Sequence, residues 1–199
     1  MVVPGCRAEM LQGGVEQVEI LPRANLKLMT ARLDNSGPPF PQNCICFKPG
    51  SIAVEQEGGR YRLVERDAGV NTWILDFGAR GEEAGVAAKT IQHYNFNQLC
   101  TVGKSADGRG PEMQYFTVDG SSTAAHREGE DAISFDPNLV AARFVQGRWK
   151  VVEGADHWML DFNEREADAR RAVEIIKYYN FTRVCYVGRP GAPMMYFTR

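Results

Sequence analysis

The chain has few of the residues that carry catalysis. Histidine occurs three times in 199 residues, as His93, His126 and His157. No G-x-S-x-G, phosphate-binding glycine loop, H-E-x-x-H or dinucleotide fingerprint is present. Cys100 and Cys185 lie in apolar stretches, where a thiol is desolvated and inert. "NCIC" at 43–46 is the only close cysteine pair, and nothing elsewhere completes a zinc site, so no metal or other cofactor is expected. The chain is expected not to be an enzyme; a small hydrolase pairing Cys44 or Cys46 with a histidine is the catalytic alternative.

Other absences narrow the partners. No apolar run approaches the roughly 20 residues that span a bilayer. Lys and Arg are scattered, the net charge is -2, and no basic stripe or tail marks a nucleic-acid binder. The opening "MVVPGCRAEMLQGG" lacks the charged and apolar regions of a signal peptide, so a cytoplasmic chain is expected. Five cysteines without framework spacing are expected to be reduced there and mostly buried.

What the chain does contain is itself, twice. "TWILDF" at 72–77 returns as "HWMLDF" at 157–162. Around it, Phe47 and Pro49 match Phe135 and Pro137, and Arg60-Tyr61 matches Arg148-Trp149. Tyr94-Asn95-Phe96 matches Tyr179-Asn180-Phe181, Cys100 matches Cys185, and Val102-Gly103 matches Val187-Gly188. Tyr115-Phe116-Thr117 and Tyr196-Phe197-Thr198 close the two copies. So many matches in one order imply a tandem duplication. The expected organisation is an N-terminal segment with strands and a Pro-rich connection (1–43), repeat 1 (44–117), a linker (118–131) and repeat 2 (132–199).

Periodicity gives the elements. In both WxLDF segments, alternation puts Trp, Leu and Phe on one face, so Trp73 and Trp158 are expected in the core. "GRYRLVE" and "GRWKVVE" alternate likewise. Ala169, Ala172, Val173, Ile176 and Tyr179 mark one face of a helix, with Asn163 and Glu166 resembling a capping box and Asn180 a left-handed C-cap. His93 and Tyr178 fall on the opposite, solvated face. The fold class expected is α+β: two tandem β-β-β-α-β-β units, mostly antiparallel sheets each packing one helix. A unit of this size buries too little surface alone, so the two are expected to pack about a pseudo-twofold axis.

Several polar residues recur between copies: Arg60 and Arg148, Arg62 and Lys150, Asp76 and Asp161, Lys104 and Arg189. The plain reading is ion pairs tying strand edges together. The functional reading is a ligand site whose cations take a carboxylate or amide carbonyl, with Trp149 able to stack on a ligand. The candidate ligand-binding residues are Arg60, Arg62, Lys104, Arg148, Trp149, Lys150 and Arg189.

The order "GRWKVV", "HWMLDF", "YVGRP", "MMYF", spanning nearly all of 44–117 and 132–198, resembles a repeat module appended to bacterial papain-like and other peptidases. A stand-alone pair is similar to peptide-binding accessory proteins of ribosomal-peptide natural-product pathways that make pyrroloindoline alkaloids. The resemblance implies a non-catalytic protein that holds a precursor or substrate peptide for a separate modifying enzyme or peptidase. "EEAGVAAKT" and "GKSADGRG" in the first copy depart from the second, implying that the halves no longer bind equivalently. A carbohydrate-binding module or lectin is the main rival; it requires tryptophans exposed in a shallow site. A structural subunit that dimerises with its own copy or another chain is a further alternative.

Overall fold

Pro49 separates the first two described strands. It has no N–H to give a ladder, and Pro49–Ser51 forms a single 3-10 turn between β1 (Asn43–Cys46) and β2 (Ile52–Glu57). Then come β3 (Arg60–Asp67), β4 (Val70–Gly78), α1 (Gly81–Tyr94), β5 (Gln98–Val102) and β6 (Met113–Thr117). The second half runs β7 (Asp131–Ser134), β8 (Val140–Val145), β9 (Arg148–Glu153), β10 (His157–Asp161), α2 (Glu166–Tyr178), β11 (Arg183–Val187) and β12 (Met194–Thr198). Four strands therefore precede each helix, where three were expected. The structure is a computed structural model describing residues 43–67, 70–104, 110–125, 127–155 and 157–199. The strands expected in the N-terminal segment lie outside these residues.

The fold is α+β, with the described strands in four small sheets. Their orders are β2-β3-β4, β8-β9-β10, β1-β5-β6 and β7-β11-β12, and every pairing is antiparallel. Helix α1 packs on β2, β3 and β4, and α2 on β8 and β9. Their buried faces are rich in alanine (Ala84, Ala87 and Ala88; Ala169 and Ala172), which lets each helix approach its sheet closely. Among the described residues no helix is long and apolar enough to cross a membrane.

Each half contributes to both cores. Leu99 and Phe116 face the cluster around α1, whereas Cys100, Val102, Met113 and Tyr115 of the same strands face the cluster around α2. Conversely, Cys185, Val187, Met194 and Tyr196 join the α1 cluster, while Val184 and Phe197 join that of α2. Strands buried on both sides explain the near-continuous apolar runs "QLCTV" and "RVCYV". The turns after β5 and β11 also reach across. A Cβ on Gly103, at φ +64, would stand 2.8 Å from the Phe162 ring, and one on Gly188, at φ +83, 3.1 Å from Glu83 Cγ. Only glycine meets both demands, positive φ and close approach.

At the helix ends, Asn95 and Asn180 take φ 55° and 51°, and the amides of Phe96 and Phe181 donate back to the carbonyls of Ile91 and Ile176 at 3.0 Å. The left-handed cap read at Asn180 is present. The capping box read at Asn163 and Glu166 is not: α2 begins at Glu166 without a side-chain cap. Asn163 instead takes φ 54° in the preceding turn, where its N–H donates to the Asp161 carboxylate at 2.9 Å.

The thiol expectation is also corrected. Cys44 and Cys100 stand directly opposite across β1 and β5 and are joined by a disulfide. In the other sheet the same register holds Ala132 opposite Cys185, which is free and buried. With the bond formed, thiol chemistry no longer favours the cytoplasm expected from the sequence.

Candidate functional site

Two β-bulges decide where the tryptophans go. Leu75 pairs with Leu63 but Trp73 with the adjacent Val64, so Ile74 is the extra residue. Likewise Leu160 pairs with Val151 and Trp158 with Val152, with Met159 extra. One inserted residue breaks the alternation and re-aims the side chain beyond it. Trp73 and Trp158, expected in the core, are therefore 58% and 55% exposed, while Leu75, Phe77, Leu160 and Phe162 stay buried.

The register shows what shares each tryptophan's face, because residues directly opposite point the same way. On β2–β4 the rows are Ala53, Val64 and Trp73; Glu55, Arg62 and Asp76; and Glu57 with Arg60. Charge here is matched within the face. Arg60 pairs with Asp76 at 2.7 Å, Arg62 with Glu57 at 2.8 Å, and Arg66 with Glu55 at 3.1 Å. Arg62 also lies over Trp73, 5.1 Å from the ring centroid. Burial pushes the Asp76 carboxyl upward, but the Gly78 N–H and the Arg60 guanidinium outweigh it and hold the pKa below the usual carboxylate value.

On β8–β10 the corresponding rows are Ala141, Val152 and Trp158; Arg143, Lys150 and Asp161; and Val145 with Arg148. The scaffold is the same and the chemistry differs. Glu55 is replaced by Arg143 and Glu57 by Val145. Asp161 is the one carboxylate in these rows; it takes Arg148 at 3.0 Å and the Asn163 N–H at 2.9 Å. Lys150 Nζ sits 4.1 Å from the Trp158 centroid, a cation–π contact. Val145, Gln146, Lys150, Val152, Ala155 and Trp158 enclose a half-open cleft of about 420 Å³. At the hairpin end, Phe144 is 60% exposed where the first half has Gln56.

Of the residues singled out from sequence, Arg148 and Lys150 belong to this surface. Arg60 and Arg62 occupy the charge-matched face of the other half. Trp149 points to the α2 side of β9, its ring 5.5 Å from Phe144 and beneath Arg170 at 5.6 Å. Lys104 and Arg189 follow β5 and β11, away from both outer faces; Arg189 Nε donates to Asp131 at 2.6 Å and the guanidinium lies 4.7 Å from the Tyr186 centroid. Sequence reading missed Arg143, Val145 and Trp158. The first two differ from Glu55 and Glu57 at the matching strand positions, and a search for shared polar residues passes over them.

A second polar centre is sealed. The Glu130 side chain, 2% exposed, accepts the Tyr94 and Tyr196 hydroxyls, each at 2.7 Å. Burial, with Glu130 adding to it, raises both phenols well above their ordinary value, and burial pushes the nearby Cys185 thiol up to about 11. These contacts tie Glu130, which lies between the two halves, to Tyr94 of the first and Tyr196 of the second. No protein-family model, curated protein or solved structure matches this chain.

Proposed function

We propose that the protein is a non-catalytic module that holds an extended polypeptide, a precursor or substrate for a separate enzyme, on the outward face of β8–β10. The observation that carries this reading is Trp158, exposed by its bulge over an apolar-floored cleft with Lys150 beside it. An aromatic anchor next to a few placed polar groups is how small recognition sites combine affinity with orientation. Among the described residues, the Cys44–Cys100 bond and the buried Cys185 thiol weigh against a nucleophile at those three cysteines.

The two halves are a tandem duplication related by a pseudo-twofold axis, in which one outer face kept charge balance and the other became the binding face. In support, the order of elements recurs and Gln114 meets its own counterpart. Its Nε2 donates to the Pro193 carbonyl at 3.3 Å, and its Oε1 accepts the Met195 N–H at 3.2 Å. Counterparts touch where such an axis passes.

The exposed tryptophans also favour a sugar-binding reading. A neutral sugar needs acceptors as well as a ring to stack on, and Asp161, the carboxylate of these rows, is already occupied twice. A thermal-shift comparison of unstructured peptides with oligosaccharides separates the two. A ligand at about a hundred times its Kd adds about 2.7 kcal/mol to stability. Stabilisation by peptides that W158A abolishes supports the proposal; stabilisation by sugars alone overturns it.

A further inference from the structure

Resting on that reading, we infer that the polypeptide is acidic and adds as a strand to the free edge of β8, with one such site per chain. Two independent observations converge on that edge.

The first is charge. Across β8–β10 the outward rows carry Arg143, Arg148 and Lys150 against Asp161 alone. The matching rows of β2–β4 hold Arg60 and Arg62 against Glu55, Glu57 and Asp76. Arg143 is the clearest change: its counterpart Glu55 serves as the ion-pair partner of Arg66, whereas Arg143 is exposed on the edge strand. An unbalanced cationic face disfavours basic ligands and draws acidic ones.

The second is the edge itself. Among the described residues β8 pairs only with β9, so its other side presents backbone donors and acceptors. Its six pairs with β9 run without a register shift, whereas β10, at the opposite edge, is broken by the bulge at Met159. A flat edge accepts an added strand and a bulged one resists it. Ala141 and Ala142 keep the approach open. A segment added there alternates its side chains: one outward carboxylate meets Arg143, and an apolar side chain two residues along enters the cleft beside Val145. The counterpart edge β2 places Glu55 and Glu57 at those positions and repels the same ligand.

The test uses the full chain and fluorescein-labelled peptides of one length and one apolar pattern, with alternate positions all Glu, all Gln or all Lys. Anisotropy titrations should show the Glu peptide binding at least about tenfold more tightly than the Gln peptide, with the gap narrowing as salt rises. R143E should reverse the order in favour of the Lys peptide, and W73A should leave it unchanged; circular dichroism and melting curves establish that each variant is folded. Equal binding of Glu and Gln peptides overturns the acidic preference while leaving the peptide-holding role intact. Binding of none overturns both. Loss of Glu-peptide binding in W73A but not R143E overturns the location. A labelled single-stranded oligonucleotide binding more tightly than the Glu peptide overturns the ligand class.

Discussion

Arg80 Nη1 donates to the Gly188 carbonyl at 2.8 Å, fastening the start of α1 in one half to the β11–β12 turn of the other. Nη2 of the same guanidinium reaches the Gly191 carbonyl at 2.7 Å. Charged donors on carbonyls are worth about 1.5–3 kcal/mol each when desolvated, and these are only partly so. R80A should therefore lower unfolding stability in urea by about 1–3 kcal/mol. An unchanged midpoint would mean that the turn is held by its glycines and packing alone.

Glu130 joins Tyr94 of the first half to Tyr196 of the second. E130A leaves two buried hydroxyls without that acceptor and should cost about 2–4 kcal/mol; E130Q keeps an acceptor and should cost less. The raised phenol values give a second readout. An unfolded tyrosine ionises near pH 10, whereas Tyr94 and Tyr196 stay protonated well beyond it in the folded chain. This contribution is fully present below pH about 10 and is lost as pH rises above it. Alkaline absorbance titration should show Tyr94 and Tyr196 among the tyrosines that ionise only with unfolding, a set that E130A should shrink.

On the acid side, Glu153 is the group to follow. The Asp136 N–H at 2.7 Å, then His157 Nδ1 at 2.9 Å, outweigh burial and lower its pKa below the ordinary carboxylate value. A depressed folded pKa contributes stability above the unfolded value of about 4.3 that fades as pH falls through the folded one. E153Q should flatten the stability profile across that window, as followed by urea midpoints at successive pH values. Glu65 accepts the Lys48 N–H at 2.7 Å in the same manner, so both copies of the final Glu in "GRYRLVE" and "GRWKVVE" bridge a backbone turn.

The paired sheets predict a disulfide by register. Ala132 stands opposite Cys185 as Cys44 stands opposite Cys100. A132C should close a further bond, to Cys185, seen as a loss of two hydrogens by intact mass with thiols blocked. Removing the native bond with C44A/C100A should cost about 2–4 kcal/mol, because it frees a loop of 56 residues in the unfolded chain.

How much of this could be read from the chain follows from what local sequence carries. The WxLDF strands, both helices and the Asn180 cap were legible because they rest on local period and turn chemistry. The orientation of Trp73 and Trp158 was not, since a bulge is a property of two paired strands: Ile74 and Met159 give no local sign of being unpaired. The fourth strand before each helix was not legible because β1 and β7 are fixed by pairing with the distant β5 and β11. The Cys44–Cys100 bond was not legible because the two cysteines lie 56 residues apart with no framework spacing, and only the pairing of β1 with β5 brings them together. A search for shared residues passed over the candidate site. Shared residues such as Arg60 with Asp76 and Arg148 with Asp161 proved to be ion pairs. The contrast on which the proposed peptide site rests lies at Glu55 against Arg143 and Glu57 against Val145.

One outer face, and not its counterpart, is proposed to hold polypeptide. This is tested most directly by the Kd of one labelled Glu-rich apolar-patterned peptide for the native chain, W158A and W73A, measured side by side. Truncating a central aromatic anchor typically costs 2 kcal/mol or more, about thirtyfold in Kd. W158A should show that loss and W73A a native Kd. Equal weakening of both variants, or of neither, would contradict the proposal.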